Sequence, residues 1–128
     1  MKRLLALGLA AILAAPALAA ANESVSPRWS APATTPAEDE YAKGMRAKRA
    51  KEWSVAGAAF RKAVELKPDF PEAWNELGYA YRHLGNYPES VKAYDEALRL
   101  KPRFPEALEY LGEAYVKMGR LDDARKVL

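Results

Sequence analysis

Apolar positions in the second half of the chain fall on helical spacings. Trp74, Leu77, Tyr81 and Leu84 stand at i, i+3, i+7 and i+10, one face of an α-helix. Gly85 then supplies the left-handed position that ends it. Beyond that turn, Val91, Tyr94, Ala97 and Leu98 mark the apolar face of a second helix, from about Pro88 to Leu100. Pro88 suits a first helical turn, and Pro102 cannot continue the helix before it. Gly78 lies mid-helix, where glycine costs about 1 kcal/mol against alanine. Gly78 and Ala97 are therefore expected where two helices approach closely. Upstream, a more polar helix is predicted over Glu38 to Ala50, with Glu40 and Lys43 where the pattern calls for apolar residues.

The pattern repeats with a fixed period. Lys67-Pro68-Asp69-Phe70-Pro71-Glu72-Ala73-Trp74 returns as Lys101-Pro102-Arg103-Phe104-Pro105-Glu106-Ala107-Leu108, a shift of 34. The same shift carries Gly44 onto Gly78 and Gly112, Ala63 onto Ala97, Tyr81 onto Tyr115, and Phe60 onto Tyr94 and Leu128. A helical hairpin repeated in this way cannot bury its apolar face alone, and stacking of successive hairpins makes the core.

Period and residue types together resemble the tetratricopeptide repeat, W-x2-L-G-x2-Y, then A-x3-F, then a late Pro. The central copy reads Trp74, Leu77, Gly78, Tyr81, Ser90, Tyr94, Ala97 and Pro102, departing only by Ser for Ala at Ser90 and Tyr for Phe at Tyr94. The third copy supplies Leu108, Leu111, Gly112, Tyr115, Ala124 and Leu128, and the first has Gly44, Ala56, Phe60, Ala63 and Pro68. The resemblance implies an all-α fold, a short right-handed solenoid of about 2.7 helix-turn-helix repeats over residues 37–70, 71–104 and 105–128, the last incomplete. The polar first helix fits an N-terminal cap that faces water on one side.

The N-terminus reads differently. Met1-Lys2-Arg3 precedes an uncharged, mostly apolar run from Leu4 to Ala21, with Pro16 near its end and small residues over Ala17-Leu18-Ala19-Ala20-Ala21. That order is the pattern of a secretory signal peptide over residues 1–19, with cleavage after Ala19 or as far along as Ala21. It predicts a bacterial protein of the periplasm or the exterior. The alternative is an uncleaved membrane anchor, although the run is alanine-rich and interrupted by Gly8 and Pro16. Residues 20–36 then read as a flexible linker rich in Pro, Ser and Thr, with Trp29 its only large side chain.

Composition narrows the chemistry. Half of the 128 residues are apolar and 29% are charged, as in a globular protein. Without Lys2 and Arg3, the 20 basic residues become 18 against 17 acidic ones, which gives no reason to expect a nucleic-acid partner. The absence of cysteine rules out disulfides, thiolate nucleophiles and Cys-based metal sites, and the single histidine, His83, leaves no His pair for a metal. No phosphate loop, nucleophile elbow or dinucleotide fingerprint is present. Asp122-Asp123 opens the last helix and His83 closes another, positions that the helix dipole favours for such charges. The basic residues Lys43, Arg46, Lys48, Arg49 and Lys51 spread around the first helix as a solvated capping face. The reading is a non-enzyme with no cofactor and no metal.

What remains is a surface. In tetratricopeptide proteins the first helix of each pair lines a groove that binds peptides or partner helices, and the resemblance places Tyr41, Met45, Asn75, Tyr79, Arg82, His83, Glu109, Glu113 and Lys117 there. An apolar or aromatic anchor is expected near Tyr41, Met45 and Tyr79, with an acidic ligand residue toward Arg82 and Lys117. The carboxylate clamp of chaperone-binding members is not supported, because its positions hold Tyr41, Met45, Glu76, Glu106 and Tyr110. The expected function is an exported protein-interaction scaffold. The alternatives are an accessory subunit or fragment of a larger cell-envelope enzyme or assembly complex, and a membrane-anchored spacer with contact to the membrane through a retained N-terminus. The short last helix leads us to expect an apolar end that is covered in a longer protein or by self-association.

Overall fold

The computed structural model describes residues 32–128, so the expected signal peptide and all but the last residues of the expected linker, Trp29 included, lie outside the described part. Six helices follow one another: α1 (Pro36–Arg49), α2 (Trp53–Leu66), α3 (Pro71–His83), α4 (Tyr87–Leu100), α5 (Pro105–Lys117) and α6 (Leu121–Val127). Among the described residues there is no strand, and no helix is long and apolar enough to cross a membrane. The helices pair as α1/α2, α3/α4 and α5/α6, and successive pairs stack through α2 on α3 and α4 on α5.

Local sequence sets each boundary. The helix begins slightly before the expected Glu38, because Thr35 caps it. Its side chain accepts from the Glu38 N–H at 3.3 Å while the Glu38 carboxylate accepts from the Thr35 N–H at 2.7 Å. This capping box holds the Glu38 carboxyl below its ordinary range, chiefly through the Thr35 backbone donor. Helices α3 and α5 start with Pro71 and Pro105, where the missing N–H costs nothing. Gly85 and Gly119 take φ values of +78° and +73° in the turns after α3 and α5. The equivalent residue after α1, one period earlier, is Lys51 at φ 58°. A side chain there is strained by the clash of its Cβ with the backbone. Lys51→Gly is therefore expected to stabilise the domain by about 0.5–1 kcal/mol, less what glycine adds to the freedom of the unfolded chain. Urea denaturation measures it.

The close approach expected at Gly78 is present, and each of the other hairpins has its equivalent. A Cβ on Gly44 would lie 2.5 Å from the Phe60 ring, one on Gly78 2.8 Å from the Tyr94 ring, and one on Gly112 2.6 Å from Leu128. Phe60, Tyr94 and Ala97 are fully buried. Ser90, the departure from the alanine of the repeat, is also buried, and its hydroxyl donates to the Gly78 carbonyl at 2.7 Å. Two apolar clusters follow, one around Phe60, Leu77 and Val64 and the other around Tyr94, Leu111 and Phe104. Trp74 packs against both, and its indole N–H donates to the Pro68 carbonyl at 2.8 Å.

Candidate interaction surface

Helices α1, α3 and α5 present one face, where the first helix of every hairpin contributes polar and aromatic side chains. Tyr79, in the middle of α3, is the hub. Its ring meets Tyr110 of α5 edge-on at 5.0 Å, His83 at 4.6 Å and Trp53 of α2 at 5.8 Å. The Lys48 ammonium lies 4.3 Å from the ring centroid and the Arg82 guanidinium 5.1 Å. Arg82 also lies 5.2 Å from the Tyr110 centroid. Cations over aromatic faces are attracted by the ring quadrupole, here by about 0.5–2 kcal/mol each according to solvation.

Two ion pairs cross between hairpins on this face. Lys48 of α1 bonds Glu76 of α3 at 2.6 Å, and Arg82 of α3 bonds Glu113 of α5. Both cations and Glu76 are largely covered, whereas the Glu113 side chain remains 47% exposed. His83 stacks nearly parallel on Trp53, with centroids 3.9 Å apart and planes 12° apart. Burial in this stack, then repulsion from Arg82 and Lys48, push its imidazole below the ordinary 6.5. The folded state therefore disfavours the imidazolium, and stability that His83 contributes above pH 6.5 is lost as the pH falls below it. His83 thus closes α3 with its ring stacked on Trp53.

The structure redistributes several expected groove residues. Tyr41 does not join Tyr79: its ring packs on Phe70 at 5.0 Å and Phe60 at 5.7 Å, and Met45 packs against the same first core cluster. The resemblance placed both on the face, but Phe60 and Phe70 draw the Tyr41 ring toward the core, and Met45 packs on the same cluster. Burial, then the carboxylates of Glu76 and Glu72, raises the Tyr41 phenol above its ordinary value. Asn75 is 4% exposed, so it lies beneath the surface rather than on it, and its Oδ1 has no hydrogen-bond partner among the described residues. Arg82 is engaged by Glu113 and is not a free cation for a ligand. Glu109, Glu113, His83 and Lys117 are exposed. Trp53, Lys48, Glu76 and Tyr110 also belong to the face. Only stacking of the hairpins brings Trp53, the first residue of α2, against His83, and no helical spacing signals that.

A family model for the tetratricopeptide repeat matches residues 59–92, and a second, for the TPR repeat, matches residues 78–119. Residues 59–119 carry tetratricopeptide repeats. Solved tetratricopeptide structures share the stacked-hairpin fold. MamA protein is similar at 30% identity over 71% of this chain and 50% of its own, with a TM-score of 0.68. This chain spans about half the length of that protein. The TPR2B domain of yeast Sti1, solved as a complex with pHsp70, is 19% identical over 71% of this chain and 73% of its own, with a TM-score of 0.70. The first TPR of Spaghetti (RPAP3), solved bound to the HSP90 peptide SRMEEVD, is 20% identical over 71% and 72%, with a TM-score of 0.69. At that identity the last two show the fold alone. No curated protein matches the chain. Within the tetratricopeptide fold, the places expected for a carboxylate clamp hold the Tyr41 ring against Phe70, the Glu76 carboxylate on Lys48 and the Tyr110 ring on Tyr79.

Proposed function

We propose that the protein is an exported, non-catalytic scaffold that holds a segment of a partner protein on the α1–α3–α5 face. The observation that carries this reading is the band formed by Trp53, His83, Tyr79, Arg82 and Tyr110. It runs across all three hairpins, and its side chains are packed against one another before any ligand arrives. Pre-packed aromatic and arginine side chains make good anchors because they lose little freedom on binding. Solved relatives of the same fold carry Hsp70 and HSP90 segments, which supports a protein ligand here. The anchor is centred on Tyr79 and Tyr110, with Tyr41 and Met45 serving the fold instead. The basic, apolar, then small-residue order of residues 1–21 supports export.

Capture from cell-envelope extract tests the surface. Tyr79→Ala is expected to weaken retention of captured partners about 5- to 100-fold, whereas Lys92→Glu, exposed on α4, leaves it unchanged. The reverse outcome would place binding on the α2–α4 side. Mass spectrometry of the exported protein tests the N-terminus: a chain beginning at Ala20 or Asn22 supports export with cleavage, and an intact Met1 overturns it.

A further inference from the structure

Where the α3–α4 turn meets the end of α5 there is a shallow cavity of about 280 Å³, lined by Arg82, His83, Tyr87 and Lys117. No carboxylate is on its walls. Lys117 forms no ion pair among the described residues, and the nearest acid on its own helix, Glu113, is engaged by Arg82. The Arg82 Nε is buried and lacks a hydrogen-bond partner among the described residues. The cavity adjoins the aromatic band through His83, whose ring lies on Trp53. We propose that this cavity receives the side-chain carboxylate of an acidic residue in the bound partner segment, held by Lys117 with the His83 imidazole beside it.

The charge inventory selects the ligand. Glu113 already offsets Arg82, so the walls offer one uncompensated positive charge, on Lys117. That matches a singly charged carboxylate better than a phosphate dianion. The groups facing His83 are Lys48 of α1, Trp53 of α2, Tyr79 and Arg82 of α3, Tyr87 of α4 and Lys117 of α5. None of them carries negative charge at neutral pH, so an arriving carboxylate supplies what the imidazolium lacks. The site therefore binds more tightly as the pH falls through the His83 titration, by linkage. This inference rests on the scaffold reading for its biological ligand, but its chemistry is testable without a partner.

His83 is the only histidine in the chain, so its imidazole proton resonances need no assignment by mutation. Proton NMR titrations of the full chain in sodium acetate and in sodium chloride of equal ionic strength provide the test. Acetate is expected to raise the His83 midpoint by roughly half a pH unit or more. The response saturates with a Kd on the order of 10–100 mM, the range of one charge-assisted contact. Lys117→Gln is expected to abolish the response while leaving the dispersed amide spectrum intact. Equal midpoints in acetate and chloride would overturn the proposal, whatever the capture experiment shows. A saturable response to inorganic phosphate with none to acetate would also overturn it, making the cavity a phosphate site. Conversely, an acetate response in a protein whose captures ignore Tyr79→Ala would leave the anion site standing and refute the scaffold surface.

Discussion

Phe60→Ala is expected to destabilise the domain by about 3–5 kcal/mol, a large fraction of what a domain of this size has in total. The Phe60 side chain has no exposed surface, lies directly beneath Gly44 and touches the Tyr41 ring. Truncation removes a large buried apolar surface and leaves a void that cannot collapse, because α1 and α2 are joined by a tight turn and clamped by many other contacts. Thermal unfolding followed by circular dichroism should show a midpoint lower by about 15–30 °C. A drop of only a few degrees would mean that α1 slides in to fill the space, and that the first hairpin is held by its ends rather than its centre.

Gly78→Ala is expected to cost about 2 kcal/mol net, although alanine is the better helix former. A Cβ there would sit 2.8 Å from two atoms of a ring that is fully buried and cannot swing aside. Overpacking of this kind costs about 3 kcal/mol, and the helix propensity gained offsets about 1 kcal/mol of it. The built-in comparison is Gly57→Ala, where the added Cβ meets the Ala80 methyl at 3.6 Å, an ordinary contact. That substitution is expected to stabilise by up to about 1 kcal/mol, so the two glycines should move the urea midpoint in opposite directions. Combining Gly78→Ala with Tyr94→Ala should cost less than the two single losses together, since removing the ring removes the clash.

The fold was legible because its information is periodic. A shift of 34 superimposes Gly44, Gly78 and Gly112, and it also superimposes Phe60, Tyr94 and Leu128, the large residues that the structure places against them. The same shift takes Gly119 back through Gly85 to Lys51, where the chain keeps the left-handed turn without the glycine. The surface was less legible, because its properties belong to pairs from different hairpins. Arg82 reads as an available cation until α5 brings Glu113 to it, and Tyr41 reads as a surface aromatic until Phe70 folds over from the next turn. His83 shows the limit most plainly. Its place at the end of α3 suggests a charge, and the Trp53 ring laid on it, with Arg82 and Lys48 nearby, disfavours that charge.

The two ion pairs between hairpins give the stack a direction. In each, the earlier hairpin supplies the cation, Lys48 or Arg82, and the later one the carboxylate, Glu76 or Glu113. Every junction is thus a plug and socket of fixed polarity, and the order of the hairpins is written into it. If the third hairpin preceded the second, Val116, which stands one period after Arg82, would face Glu76. That carboxylate, only 12% exposed in its side chain, would then be covered with no cation to meet it. The surface where α5 meets α6 is of another kind: Val116, Leu121 and Leu128 are exposed there beside a single cation, Arg125, and no carboxylate lines it.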